Sequence, residues 1–171
     1  MNFALRHPEP TEAQVSAAFA RRLALQPWAL HVQIPRARLP RKASASVRRA
    51  AERARVDAYL RLVEEMKRKS PCLAFWRSNT GAGQLGAGGR FVEFGLWGQA
   101  DFEAVFAPLG LRVGIEIKRR STYLSPNQRA HRDLFLGAGA MHLVVRDPKD
   151  GVEELRTLLS ERLGEALEHF G

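Results

Sequence analysis

Apolar residues recur every three or four positions near the start of the chain, which predicts a helix. Val15, Phe19 and Leu23 share one helical face, and Thr11 stands in front of them at the position of a capping-box residue. The predicted helix covers about 12–25. The stretch after it loses this period and becomes rich in proline, serine and basic side chains, which favours a linker.

A second helical stripe begins after Ser46 and ends before Pro71, because the residue preceding a proline disfavours helical backbone. Its apolar members are Val56, Tyr59, Leu60, Val63 and Met66. Three basic residues close it, at the end where the helix dipole favours positive charge. We expect this helix to be the first of a core domain over residues 46–171, preceded at 1–45 by an N-terminal helix and a basic linker.

Apolar runs in the middle of the chain predict strands. The first is "CLAFWR" at 72–77, and the glycine-rich stretch at 78–90 predicts a loop. A short strand at 91–96 is also compatible with the pattern. "ADFEAVFA" at 100–107 and "LRVGIEIK" at 111–118 flank a short "PLG" segment, so we expect an antiparallel hairpin.

The best-marked helix begins behind Ser125. Ser125 supplies an N-cap, Pro126 occupies the first helical position, Gln128 completes a capping box, and Gly137 ends the helix. "AMHLVVR" predicts a further strand, and Asp150 is expected to cap a last helix that reaches about residue 169. The succession of helices and strands predicts an α/β fold, with a mixed central β-sheet flanked by helices.

The charge distribution narrows the class of partner. The formal net charge is +9, and residues 1–70 hold 15 basic and 6 acidic side chains, whereas residues 147–171 hold 3 and 7. Such a field attracts polyanions, because neutralising phosphates releases their counterions. We therefore expect DNA as the partner, against the alternative that the chain is one of many arginine-rich proteins that bind no nucleic acid.

Other classes are disfavoured by what the sequence lacks. The single cysteine, Cys72, has no partner for a disulfide within the chain, and no apolar run approaches the length of a membrane span. We expect a soluble, cytoplasmic protein without a membrane partner. The glycine-rich stretch lacks the lysine and hydroxyl residue of a phosphate-binding loop, so no nucleotide cofactor is expected.

Glu116 and Lys118 are the candidate chemistry of the predicted hairpin. They lie two residues apart on a strand and therefore on the same face, and the hairpin would bring the carboxylate of Asp101 towards them from the adjacent strand. Converging carboxylates need a counter-charge, and Mg²⁺ or Mn²⁺ suits their oxygen ligands. The alternative is an ordinary amphipathic edge strand with solvated charges.

These motifs, in this order, resemble the PD-(D/E)xK nucleases. "GLWGQADF", then "GIEIKRR", then "LSPNQRAHRDLFLGAGAMHLVVR" are similar to the VRR-NUC branch, and "FWRSNTGAG" looks like a segment of archaeal-type Holliday junction resolvases. The resemblance covers about residues 46–146 and implies a restriction-endonuclease-like core. It departs from the family name at Ala100, where the motif has proline.

The resemblance implies roles for individual residues. Asp101, Glu116 and the backbone carbonyl of Ile117 would be metal ligands, Lys118 the catalytic lysine and Gln128 an auxiliary polar residue, unless Gln128 only caps its helix. The family often carries a further glutamate on its first core helix. The candidates for that position are Glu52, which fits best, and Glu64 and Glu65, all three of which equally suit a solvated helix face.

Basic side chains near the site and on the linker are candidates for DNA contact. They are Arg77, Arg119, Arg120, Arg41 and Lys42. Arg77 is equally compatible with a plain surface position. The sequence thus predicts a Mg²⁺-dependent endodeoxyribonuclease, with a homodimeric Holliday junction resolvase as the leading hypothesis. The alternatives are a restriction-type or repair nuclease on linear or flap DNA, and a non-catalytic DNA-binding protein with a vestigial nuclease fold.

Overall fold

A five-stranded mixed β-sheet lies at the centre of the fold, with helices on both faces. The computed structural model describes residues 9–33, 39–40, 42–69, 72–78, 81–84, 91–94, 96 and 98–170, with side chains omitted at 81–84, 91–94 and 168–170. Its helices are α1 (Glu12–Ala24), α2 (Ala45–Lys69), α3 (Pro126–Gly137) and α4 (Pro148–Phe170). Its strands are β1 (Ala29–His31), β2 (Leu73–Arg77), β3 (Gly81–Gln84), β4 (Phe91–Phe94), β5 (Phe102–Phe106), β6 (Leu111–Ile117) and β7 (Met141–Val145).

The sheet runs in the order β1-β2-β5-β6-β7. β5 and β6 form the predicted antiparallel hairpin, with Phe102 opposite Ile115 and Phe106 opposite Leu111. β2 lies antiparallel to β5, and the outer strands β1 and β7 run parallel to their neighbours. The hairpin strands are therefore both interior in the sheet.

One face of the sheet carries the main core. α1 and α4 pack together over it, and Phe19, Leu23, Phe102, Ile115 and Leu155 are among its buried side chains. α1 and β1 therefore belong to the core, although the sequence had placed them in an N-terminal unit that ends at residue 45. The difference arises because the apolar face of α1 finds its partners on strands and a helix far along the chain.

α2 differs from its predicted role as the first core helix. Among its 25 residues only Ala58 is buried. The residues of the predicted apolar stripe, Val56, Tyr59, Leu60, Val63 and Met66, are 40–57% exposed. The helical period was correct, but the stripe is left uncovered, and the apolar face of the sheet packs against α1 and α4 instead.

Two local predictions also need correction. β3 lies inside the stretch that was expected to be a loop and pairs antiparallel with β4. Strand pairing uses only backbone N–H and C=O groups, so glycine does not prevent it. The last helix begins two residues earlier than Asp150, because Asp147 accepts backbone hydrogen bonds from residues 149 and 150 at 2.8 and 3.3 Å and acts as the cap.

α3 has the predicted start. The Ser125 side chain accepts the N–H of Gln128, and the Gln128 side chain accepts the N–H of Ser125, which forms a complete capping box. α3 covers the other face of the sheet, where the Arg112 guanidinium lies 3.9 Å from the centre of the Phe135 ring. None of the described helices is both long enough and apolar enough to cross a bilayer.

Candidate functional site

The β5–β6 hairpin brings Asp101 and Glu116 to the same end of the sheet. Asp101 directly precedes β5, and its Oδ2 accepts the backbone N–H of Ile117 at 2.8 Å. Ile115 and Ile117 point into the main core, so strand alternation turns Glu116 to the opposite face. The two carboxylates therefore meet because one hydrogen bond ties the loop before β5 to the end of β6.

Glu116 is a buried carboxylate with two polar partners. It is 2% exposed, and its Oε1 lies 2.8 Å from Nζ of Lys118 and accepts a hydrogen bond from Nε2 of Gln128. Burial raises the pKa of Glu116 to about 7, further assisted by the negative charges of Asp101 and Glu12 and opposed by Lys118. Ionisation of Glu116 is thus energetically unfavourable, and an additional cation beside it would make ionisation more favourable.

Glu12 is a third carboxylate at the site, and sequence analysis missed it. It is the first residue of α1, its Oε1 lies 3.8 Å from Nζ of Lys118, and the same oxygen accepts a hydrogen bond from Oγ1 of Thr122 at 3.1 Å. The capping box at Thr11 predicted the helix start correctly. Because capping already explained the polar residues at this helix start, the sequence offered no separate reason to single out Glu12. Only the docking of α1 onto the sheet brings Glu12 to Lys118.

Glu52, the predicted helix carboxylate, is not at the site. It is exposed on α2, and its side chain makes no hydrogen bond or ion pair in the described part of the chain. Glu64 and Glu65 pair with Lys67 and Lys69 of the same helix. The structure thus places Glu52 on a helix outside the main core, whereas α1, the first helix of that core, begins with Glu12.

Gln128 caps α3 as predicted and also contacts Glu116, whereas its auxiliary role in the chemistry of the site stays a prediction. Its Oε1 completes the capping box of α3 while its Nε2 donates to Glu116. The loop before β5 touches the same turn, because Gly98 has φ +78° and an added Cβ would lie 2.2 Å from the carbonyl oxygen of Asn127. The start of α3 is thus held by its own capping box and by the close approach of the loop before β5. Together these contacts fix the Gln128 amide against Glu116.

The predicted DNA-contacting residues lie in three places. Arg119 and Arg120 are exposed directly after Lys118, and with Arg146 they line a groove of about 840 Å³ beside the start of α1. Arg77 is exposed at the end of β2, across from Phe102, and so lies close to the Asp101 end of the site. Lys42 is exposed before α2, well removed in sequence from the others, and Arg41 falls outside the described residues.

The site is not preassembled for a divalent cation, although it has donor atoms of the type that such an ion prefers. Among described residues no set of three or more histidine, cysteine or acidic side chains is gathered closely enough to hold a metal. Asp101 Oδ1 and Glu116 Oε2 nevertheless have no hydrogen-bond partner in the described part of the chain, on carboxylates brought together by one hairpin. Hard carboxylate oxygens are the ligands that Mg²⁺ and Mn²⁺ favour, so the donor set fits such an ion.

Comparisons with known proteins do not identify the chain. No family model, no curated protein and no solved structure matches it.

Proposed function

We propose that the chain is a metal-dependent endodeoxyribonuclease with a restriction-endonuclease-like core, of the VRR-NUC or archaeal-type resolvase branch of the PD-(D/E)xK nucleases. The observation that carries this proposal is the hydrogen bond between Asp101 and the end of β6, which places that carboxylate beside Glu116 and Lys118. The rise in the pKa of Glu116 supports it, because strongly perturbed carboxyl groups beside a charged partner are enriched at catalytic sites.

Each residue of the site then has a distinct role. Asp101, Glu116 and the carbonyl of Ile117 would hold Mg²⁺ or Mn²⁺, and Glu12 takes the position that the sequence had given to Glu52. The bound ion supplies Lewis acidity towards a phosphodiester. Lys118, held by Glu116, presents an ammonium group that stabilises the negative charge that builds up on the phosphate. Gln128 keeps the Glu116 carboxylate in one orientation.

In this proposal a water molecule loses a proton and attacks the phosphorus atom, and the P–O bond to the 3′ oxygen breaks as that oxygen takes up a proton. The nick leaves a 3′-hydroxyl on one fragment of the cut strand and a 5′-phosphate on the other fragment of the same strand. The exposed arginines beside the site, Arg77, Arg119 and Arg120, would contact phosphates on either side of the scissile one. Lys42 and Arg41 belong to a more distant basic segment, which would add salt-dependent affinity without touching the reacting atoms.

We propose a Holliday junction as the substrate and a homodimer as the active form. Two symmetric sites suit two nicks at a four-way junction. The exposed stripe of α2 is the surface that we assign to the dimer. Its five apolar side chains are 40–57% exposed, so two facing stripes would remove roughly 900 Å² of apolar area from water. Stable interfaces bury about 1,200–2,000 Å² in total, and roughly two thirds of a homodimer interface is apolar. The stripe with its flanks therefore suffices for a dimer.

The decisive experiment is cleavage of a labelled four-way junction and of a linear duplex of equal length, with Mg²⁺ or EDTA. We expect symmetric nicks in the junction that disappear with EDTA or with Glu116→Ala. Glu12→Gln and Glu52→Gln form a matched pair on two helices, and only the first should lower the rate. Equal cutting of both DNAs would favour the restriction-type or repair nuclease instead. Metal-independent DNA binding without cutting would favour the non-catalytic DNA-binding protein with a vestigial nuclease fold.

A further inference from the structure

The turn directly after Lys118 is held by hydrogen bonds from one arginine. Nη1 of Arg146 donates to the carbonyl oxygens of Arg119 and Thr122, at 2.9 and 2.7 Å. The turn is also closed internally, since the N–H of Thr122 donates to the carbonyl oxygen of Arg119 at 3.1 Å. Arg146 directly follows β7, which pairs with β6, so the sheet itself fixes the position of the turn.

This turn binds the segment around the start of α1 through the hydroxyl groups of two consecutive residues, Ser121 and Thr122. The backbone N–H and Oγ of Ser121 donate to the two carboxylate oxygens of Glu9, at 3.1 and 2.7 Å. Oγ1 of Thr122 donates to Oε1 of Glu12 at 3.1 Å. The two contacts are chemically alike, but only Glu12 also lies beside Lys118.

Lys118 alone does not orient the Glu12 carboxylate. The distance of 3.8 Å between Nζ and Oε1 is beyond hydrogen-bond range, so the lysine attracts the carboxylate without directing it. The glutamate side chain is 43% exposed and has several rotatable bonds, which would otherwise let it turn into solvent. The hydroxyl of Thr122 has a second acceptor in the carbonyl oxygen of Arg119 at 3.2 Å, but a hydrogen bond to a charged carboxylate is the stronger of the two.

We infer that Thr122 is a positioning residue: its hydroxyl, on a turn that Arg146 fixes, holds Glu12 beside Lys118, from where Glu12 would join Asp101 and Glu116 around a bound ion. This inference rests on the proposed function and adds to it a residue that touches neither substrate nor metal. Groups that orient metal-ligating carboxylates affect metal affinity strongly when they are removed, typically by roughly tenfold or more.

The test uses the whole chain and Mn²⁺ as the probe, with binding measured by titration calorimetry without DNA. Thr122→Val keeps the side-chain shape and removes the hydroxyl, and we expect it to weaken Mn²⁺ binding roughly tenfold with an unchanged unfolding temperature. Thr122→Ser should retain most of the affinity, because it keeps the hydroxyl. Ser121→Ala is the matched control, since it removes the neighbouring hydroxyl–carboxylate contact and should leave Mn²⁺ affinity unchanged.

A double-mutant cycle separates positioning from general loosening. In a Glu12→Ala background, Thr122→Val should cause no further loss of Mn²⁺ affinity, because the group that it positions is absent. Additive losses, or an equal loss in Ser121→Ala, would overturn the inference while leaving the nuclease proposal intact. A wild-type chain that neither binds Mn²⁺ nor cuts DNA would overturn both. A chain that cuts DNA normally after Thr122→Val, with unchanged Mn²⁺ affinity, would overturn the positioning role alone.

Discussion

The buried carboxyl of Glu116 makes the stability of the metal-free protein depend on pH. Its pKa is raised from 4.5 to about 7, chiefly by burial, so the folded protein holds this proton more tightly than the unfolded chain does. The stabilisation from that proton is complete below pH 4.5 and is lost as pH rises through 7. The direction is opposite to that of an ordinary ion-paired carboxylate.

The size of the effect follows from the difference between the two pKa values. Each pKa unit corresponds to about 1.4 kcal/mol, so raising the value from 4.5 to about 7 gives a loss of about 3 kcal/mol between pH 4.5 and pH 8. Glu116 is 2% exposed, so solvent does not screen this cost appreciably. A loss of that size is a large fraction of the free energy of unfolding of a small domain.

Urea unfolding in EDTA at several pH values between 5 and 8 would measure this loss, with Glu116→Gln as the reference. Other groups also contribute to the pH dependence in this range. Burial lowers the pKa of His142 from 6.5 to about 4, for example, so below pH 6.5 the unfolded chain binds a proton there that the folded protein does not. Such groups contribute equally to both proteins, so the difference between the two stability curves isolates Glu116. The variant also loses the charge partner of Lys118, which shifts its whole curve but not its slope. Parallel curves for the two proteins would refute the reasoning.

The same structure predicts four further outcomes. Mg²⁺ at pH 8 should raise the unfolding temperature of the wild type and not that of Glu116→Gln, as measured by calorimetry; equal shifts would contradict the metal site. Gly98→Ala should cost about 2 kcal/mol in urea unfolding and slow DNA cleavage, because the added Cβ meets the start of α3; unchanged stability would contradict this. Arg112→Met should cost about 2 kcal/mol or more, because Glu103 is 3% exposed and loses its partner at 2.6 Å; a double variant that also carries Glu103→Gln should recover part of it. Leu60→Arg should give a monomer in light scattering, whereas Leu134→Arg on α3 should not; a wild-type monomer would refute the assigned dimer surface.

Local signals in the sequence predicted the part of the site that lies between residues 101 and 128. The hairpin follows from two apolar runs around a short turn, and the capping box of α3 places Gln128 at its first turn. Both depend on neighbours within the segment. Strand alternation then determines that Glu116 and Lys118 share a face, which is why these residues could be found without a structure.

The other features of the fold and the site depend on contacts between distant parts of the chain, and the sequence did not predict them. Both α1 and α2 carry an apolar stripe at helical spacing. α2 is the more polar and the less amphipathic of the two, but the stripe alone does not show which helix covers the sheet. Glu12 was missed and Glu52 chosen for this reason. Packing between helices and a sheet depends on which faces remain uncovered, and a periodic pattern in one helix does not contain that information.

The 110 residues that separate Glu12 from Thr122 also set an order in time. At typical synthesis rates, α1 leaves the ribosome on the order of 10 s before the turn that receives it. The apolar face of α1 therefore stays uncovered until β6, β7 and α4 have been synthesised. Only then does its first carboxylate reach Lys118, so a nascent chain carries Asp101 and Glu116 well before it carries a complete site. Truncated products of synthesis would accordingly lack the arrangement that the full-length chain builds last.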